Sequence, residues 1–210
     1  MGKVTQNFYL YSVINLLLSM KKVFRFALPA LALFATAILC CSATGQLGSR
    51  TFKFEALPQN LEELESMDID RTDPYFVSAM TVAALARFGE SQEDCFAMLN
   101  WLKGPDPITL LEKTQIRDRL MGKTYKVWSF FKGTSPDNGY TPSEPYRITV
   151  TSNSYSFKES GWATLYLKSS GADNSRPIKL RQKKSTKEWF LNSINFLADI
   201  RKPAEEDPWS

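Results

Sequence analysis

Between positions 128 and 146 the chain gathers Trp128, Asn138, Tyr140, Glu144 and Tyr146. Three aromatic faces with one amide and one carboxylate suit a cleft that grips a sugar, a peptide or a partner protein. The rings supply apolar contact, and the polar ends fix orientation. The same rings can instead plug the junction between a helical layer and a sheet, because core-filling aromatics outnumber ligand-facing ones in small domains. Exposure decides between these two fates.

Catalytic patterns are weaker. The chain has no histidine, which excludes Ser-His-Asp and Cys-His catalysis and every histidine-ligated metal site. Gly122-Lys123-Thr124 imitates the end of a phosphate-binding loop, but Arg117 stands where its first glycine belongs. Asp68-Ile69-Asp70 opens like a calcium loop, yet Asp73 occupies the position of the turn glycine. Ser129 and Lys132 have the spacing of a serine–lysine acylase without its companion motifs, so packing is the expected role of that segment. Cys95 is expected to be a buried, inert thiol inside a helix. Glu62, Glu63 and Glu65 are expected on a solvated helix face. No catalytic residue, metal or cofactor is expected.

The elements that must position the aromatic segment are well punctuated. Asp73-Pro74 is an N-cap with proline at the first helical position, and Gly89 closes that helix over an apolar stripe of Phe76, Met80, Val82, Ala83, Ala84 and Phe88. Ser91 caps a second helix with Glu93 and Asp94 in its first turn, lined by Phe96, Leu99 and Leu102 and ended by Gly104. Thr109 and Glu112 form a capping box for a third, carrying Leu111, Ile116 and Leu120 up to Gly122. Alternation then predicts strands over 146–151, 162–167, 177–182 and 188–196, with Lys183 to Lys187 as a polar turn. The expected class is α+β: three short helices followed by an antiparallel meander of three to four strands. Residues 125–145 hold too many turn residues for a long helix and too many aromatics for disorder, so they read as a packed, ordered loop. The closing Asp207-Pro208-Trp209 reads as a docked tail.

A second beginning lies inside the chain. Met20-Lys21-Lys22 with Arg25 forms a basic n-region, Phe26 to Leu39 an apolar h-region, and Cys41 to Gln46 a small, polar processing site. Residues 1–45 therefore read as a removed signal segment with Met20 as the true start, and residues 46–210 as a single domain; a genuine extension before Met20 is the competing reading. Of the 26 basic residues, Lys3, Lys21, Lys22 and Arg25 precede Gln46, which leaves 22 against 22 acidic ones in the body. A neutral body lacks the surplus positive charge that nucleic-acid binding needs. What remains is local asymmetry, acidic from Glu55 to Asp73 and basic from Lys168 to Lys187. The expected location is extracytoplasmic, with the membrane reached only through a lipid on Cys41; cleavage after Ala43 or Gly45 is the alternative. The expected role is a non-catalytic module that binds a partner protein or an envelope component. The alternative is a small ligand-binding or enzymatic domain with a cone-shaped pocket.

Trp128-Ser129-Phe130-Phe131-Lys132-Gly133, Pro136 to Ser143, Pro145-Tyr146, Arg176 to Arg181 and the closing Asp207-Pro208-Trp209 together resemble an uncharacterised bacterial domain family, over about Leu57 to Trp209. The resemblance implies a shared fold and no activity or functional residue. Helices followed by antiparallel strands, one of them containing tryptophan, are also similar to the nuclear transport factor 2-like cone, a likeness of fold alone.

The leader yields a direct expectation. Intact mass or N-terminal sequencing of the exported protein should find its first residue between Cys41 and Gln46. Met1 or Gly2 on the mature chain would contradict it.

Overall fold

Apolar residues at every second position build the sheet. In Tyr146–Thr151 (β2) the buried residues are Ile148 and Val150; in Trp162–Leu167 (β3) they are Ala163, Leu165 and Leu167; in Arg176–Gln182 (β4), Ile178 and Leu180. Each set turns to one face because strand side chains alternate. Trp189–Ser193 (β5) closes one edge, and Ser49–Phe54 (β1) the other. All neighbours are antiparallel, in the order β1-β2-β3-β4-β5. The computed structural model describes residues 48–209, so Met20, Cys41 and the rest of the leader lie outside the described residues.

Among the described residues there are five α-helices: Leu61–Ser66 (α1), Pro74–Ala86 (α2), Gln92–Lys103 (α3), Leu110–Leu120 (α4) and Tyr125–Trp128 (α5). The α+β class is that expected, and none of these helices is long and apolar enough to cross a membrane. The three expected caps are present: the side chains of Asp73, Ser91 and Thr109 accept from the amides of Tyr75, Asp94 and Glu112. The four expected strands appear within a few residues of their predicted bounds.

Four features differ from expectation. β1 is a fifth strand, placed before the helices. Only Phe52 and Phe54 mark its apolar face; the third position on that face is Arg50, which pairs with Asp73 at 2.6 Å and lies over the Phe52 and Tyr75 rings. A cation at an edge is ordinary strand chemistry, but it hides the alternation. Second, α2 is covered on all sides rather than along a stripe. From Val77 to Leu85 every residue is buried, because the sheet lies on one side and α3 and α5 on others. Ser78 and Thr81 survive there by donating to the carbonyls of Pro74 and Val77. Third, Leu111 points to water with Leu110, while Ile116 and Leu120 reach the core; the Thr109 cap sets the phase of α4 so that its first turn overhangs the body. Fourth, Trp209 is 93% exposed rather than docked. The last buried residues of the tail are Ile200 and Pro203, and the chain turns outward after Ala204–Glu206.

One ion pair ties α3 to α4 and to β5. Lys103 is buried, and its Nζ donates to Glu112 at 2.7 Å and to the Asn192 carbonyl at 3.2 Å. Burial alone would raise the Glu112 carboxyl; hydrogen bonds from Lys103 and Thr109 outweigh it and hold the group below the usual carboxylate range. A depressed folded-state value stabilises the fold above the unfolded value, and the gain is lost as pH falls through the folded one. Glu112→Gln should therefore flatten the acid limb of the stability–pH profile. It should also cost on the order of 3 kcal/mol at neutral pH by stranding the Lys103 charge. Denaturant melts of the two proteins across the acid range check both.

Candidate functional site

The aromatic segment is pinned to the sheet before it reaches the surface. The Lys132 amide donates to the Arg147 carbonyl at 2.9 Å, and Phe131 forms a bridge with Ile148. A cluster of small hydroxyls closes the inner side: Thr134 donates to the Phe131 carbonyl at 2.8 Å, Ser169 to the Ser129 hydroxyl at 2.8 Å and Ser170 to the Ser129 carbonyl at 3.1 Å. Every loop carbonyl and hydroxyl named here has a partner, which permits irregular backbone to be buried.

The rings then part in two directions. Phe130 and Tyr140 go inward. Phe130 meets Phe196 edge-on at 5.3 Å, and Tyr140 stacks on Tyr125 at 5.7 Å. Trp128 and Tyr146 stay half-buried, 6.4 Å apart, and both rest on the buried ring of Phe131, at 5.2 and 5.8 Å. These two rings form one wall of a cleft of about 260 Å³ at the end of α2. Leu57 and Pro58 make its buried floor, and Glu55, Glu90 and Glu144 its rim.

Three of the five candidates thus converge: Trp128, Glu144 and Tyr146 line one cleft. The carboxylates at its rim differ in freedom. Glu90 is engaged by Arg87, whose guanidinium also donates to Gln59 at 2.6 Å, and Glu55 is engaged by Lys53 at 2.6 Å. Glu144 is exposed and, among the described residues, receives only the Tyr146 hydroxyl, at 3.4 Å. Burial first, and then Glu144 and Glu90, push the Tyr146 phenol above its ordinary value. That dependence registers a negative potential at the ring. The cleft is a place where a cation or a bank of hydroxyls finds an aromatic face beside an acceptor.

Asn138 and Tyr140 are drawn away from it. Asn138 holds the loop together: its amide donates to the carbonyls of Gly133 and Thr141, and its oxygen accepts from the Ser135 amide. Tyr140 is 1% exposed and donates its hydroxyl to the Arg201 carbonyl at 2.8 Å. Burial, with Tyr125 next, raises its phenol. A Cβ on Gly171 would stand 2.3 Å from that hydroxyl oxygen, so the glycine is what admits the ring. The residues of the cleft that the sequence did not single out, Glu55 and Leu57 to Gln59, come from the loop after the unrecognised β1. Ala86 is the last residue of α2, and Arg87 and Glu90 follow it. Only the acidic bias of the 55–73 run hinted at this wall.

The remaining chemical candidates are structural. Ser129 is buried with its hydroxyl donated to the Lys126 carbonyl at 2.7 Å, while Lys132 is exposed. Cys95 is fully buried, and burial pushes its thiol up to about 12, far from any thiolate chemistry. Glu62, Glu63 and Glu65 are exposed on α1. Among the described residues no three carboxylates or thiols converge as a metal-ligand set. Between α2 and the sheet, Met80, Ile148, Leu165 and Ile178 fill the interior.

Compared with known proteins, the chain matches over residues 56–204 the family described as a domain of unknown function (DUF6935). No curated protein and no solved structure matches.

The division of the rings gives a graded expectation at Tyr140. Tyr140→Phe removes one buried hydrogen bond and should cost about 1–2 kcal/mol. Tyr140→Ala also empties a ring-sized space and should cost about 3–5 kcal/mol. Urea unfolding of both variants measures this; no loss in either would place Tyr140 at the surface.

Proposed function

The chain belongs to the DUF6935 family, a domain of unknown function, and we propose that it is a non-catalytic binding module of the bacterial envelope whose cleft at Trp128, Tyr146 and Glu144 takes an amine-bearing ligand. The single observation that carries this is the pairing of two half-buried rings with a carboxylate that no cation engages among the described residues. An ammonium group set against an aromatic face and a free carboxylate is attracted by both, and the partial shelter of a cleft strengthens each attraction. A cavity of about 260 Å³ accepts one amino-sugar unit or a lysine side chain, not a large cofactor.

The envelope assignment rests on the leader that begins at Met20, and lipidation of Cys41 would tether the module there. The cone-shaped pocket of a nuclear transport factor 2-like protein would need an opening between α2 and the sheet. The filled interior favours a surface cleft instead. An enzyme would need a nucleophile or a proton-transfer group in the cleft. Of the groups there that could move a proton, Glu55 and Glu90 are engaged by Lys53 and Arg87, Glu144 is exposed, and the raised phenol of Tyr146 makes it a poor base at neutral pH, which favours binding over catalysis.

Titration with a glucosamine tetramer and with its N-acetylated counterpart tests the proposal. The free-amine tetramer should shift the Trp128 indole N–H resonance and bind. Glu144→Gln should weaken that binding about tenfold, as loss of one charge-assisted contact does. The acetylated tetramer should bind at least as weakly. Equal binding of both sugars, or no response at Trp128 to the free amine, would overturn the reading.

A further inference from the structure

The outer face of the sheet carries a second, chemically opposite surface. Opposite the core, β3 and β4 present Trp162 against Arg181, Thr164 against Lys179 and Tyr166 against Pro177. The Lys179 ammonium lies 4.4 Å and the Arg181 guanidinium 5.2 Å from the Trp162 ring centroid. On β1 and β2 the same face continues with Thr51 against Thr149 and Lys53 against Arg147. Among the described residues, no strand residue on this face is acidic.

Trp162 separates two adjoining depressions. One, of about 580 Å³, is lined on its basic side by Arg181, Lys183 and Lys184, with Asp106 opposite. The other, of about 440 Å³, is lined by Lys158 and Lys179, with Tyr155 and Glu159. Among the described residues, Lys158, Lys179, Arg181, Lys183 and Lys184 enter none of the ion pairs; those are made by Arg50, Lys53, Arg87, Lys103 and Arg201. Five cations thus gather around one half-buried tryptophan, against two acidic residues, Asp106 and Glu159, that line the same depressions. Such clustering costs self-repulsion, and an anionic occupant removes that cost.

We propose that this face binds an acidic polysaccharide, with a sugar ring against Trp162 and its carboxylates on Lys179 and Arg181. Charge complementarity selects an anionic partner. The paired depressions select a chain of ring-sized units over a lipid surface, because insertion into a bilayer calls for protruding apolar groups and Trp162 is half-buried with two cations over its ring. A neutral body and the leader at Met20 argue against nucleic acid, which draws on surplus positive charge. The site lies on elements other than those of the amine cleft and does not depend on it.

Isothermal titration of the protein produced from the full chain, with hexagalacturonate as probe, tests this. Hexagalacturonate should bind and cellohexaose should not, and binding should fall steeply between low and high salt. Lys179→Glu combined with Arg181→Glu should weaken it by about tenfold or more. Glu144→Gln should leave it unchanged. If the charge-reversed protein does not fold, Lys183→Gln with Lys184→Gln should still lower the affinity and the salt dependence, since both lie outside the strands. Absence of uronate binding overturns the proposal. So do binding that survives both variants, and tighter binding of an oligothymidylate or of phosphatidylglycerol vesicles than of the uronate.

Discussion

Helix α2 has no charged side chain, and from Val77 to Leu85 nothing of it meets water. A helix so apolar has no stable surface position, so every other element has to cover it. The sheet does so with Ile148, Val150, Leu165 and Ile178; α3 does so with Met98, Leu99 and Leu102; α5 closes the remaining side. The alanines at 79, 83 and 84 let these layers approach closely. The requirement also explains β1. Without that strand, Phe76 at the start of α2 would lack Phe52, which stacks on it at 5.4 Å, and Tyr75 would lack Arg50 over its ring.

The cleft follows from where that covering ends. At the last turn of α2 the sheet, the loop after β1 and the aromatic segment arrive together, and they do not interdigitate fully. Phe131 fills the inner part of the junction and supports Trp128 and Tyr146 from behind. The rings of the segment therefore divide: Phe130 and Tyr140 plug the core, while Trp128 and Tyr146 wall the cleft for which binding is proposed. Tyr140 is drawn inward by the Arg201 carbonyl it reaches, and Trp128 stands at the end of a single helical turn.

Caps and alternation made most of this fold legible, because Asp73-Pro74, Ser91 and the Thr109–Glu112 box act through neighbouring residues alone. What escaped depends on distant contacts. β1 escaped because Arg50, exposed and paired with Asp73, stands in the same alternation phase as Phe52 and Phe54 and hides it. The burial of Tyr140 depends on the space left at Gly171, thirty-one positions along the chain and invisible as a pattern. The likeness to an uncharacterised domain family agrees with the DUF6935 match, and carries a fold without an activity. Of the site, Trp128, Glu144 and Tyr146 were legible from composition; the opposite wall from Leu57 to Gln59 was not, since its position depends on β1.

Solvent paramagnetic relaxation of the aromatic ring protons, with a soluble gadolinium chelate, tests the division of the rings most directly. Trp128 and Tyr146 should broaden strongly, while Phe130, Phe131 and Tyr140 stay sharp. Broadening of Tyr140 to the same extent as Trp128, or a Trp128 ring untouched by the chelate, would contradict it.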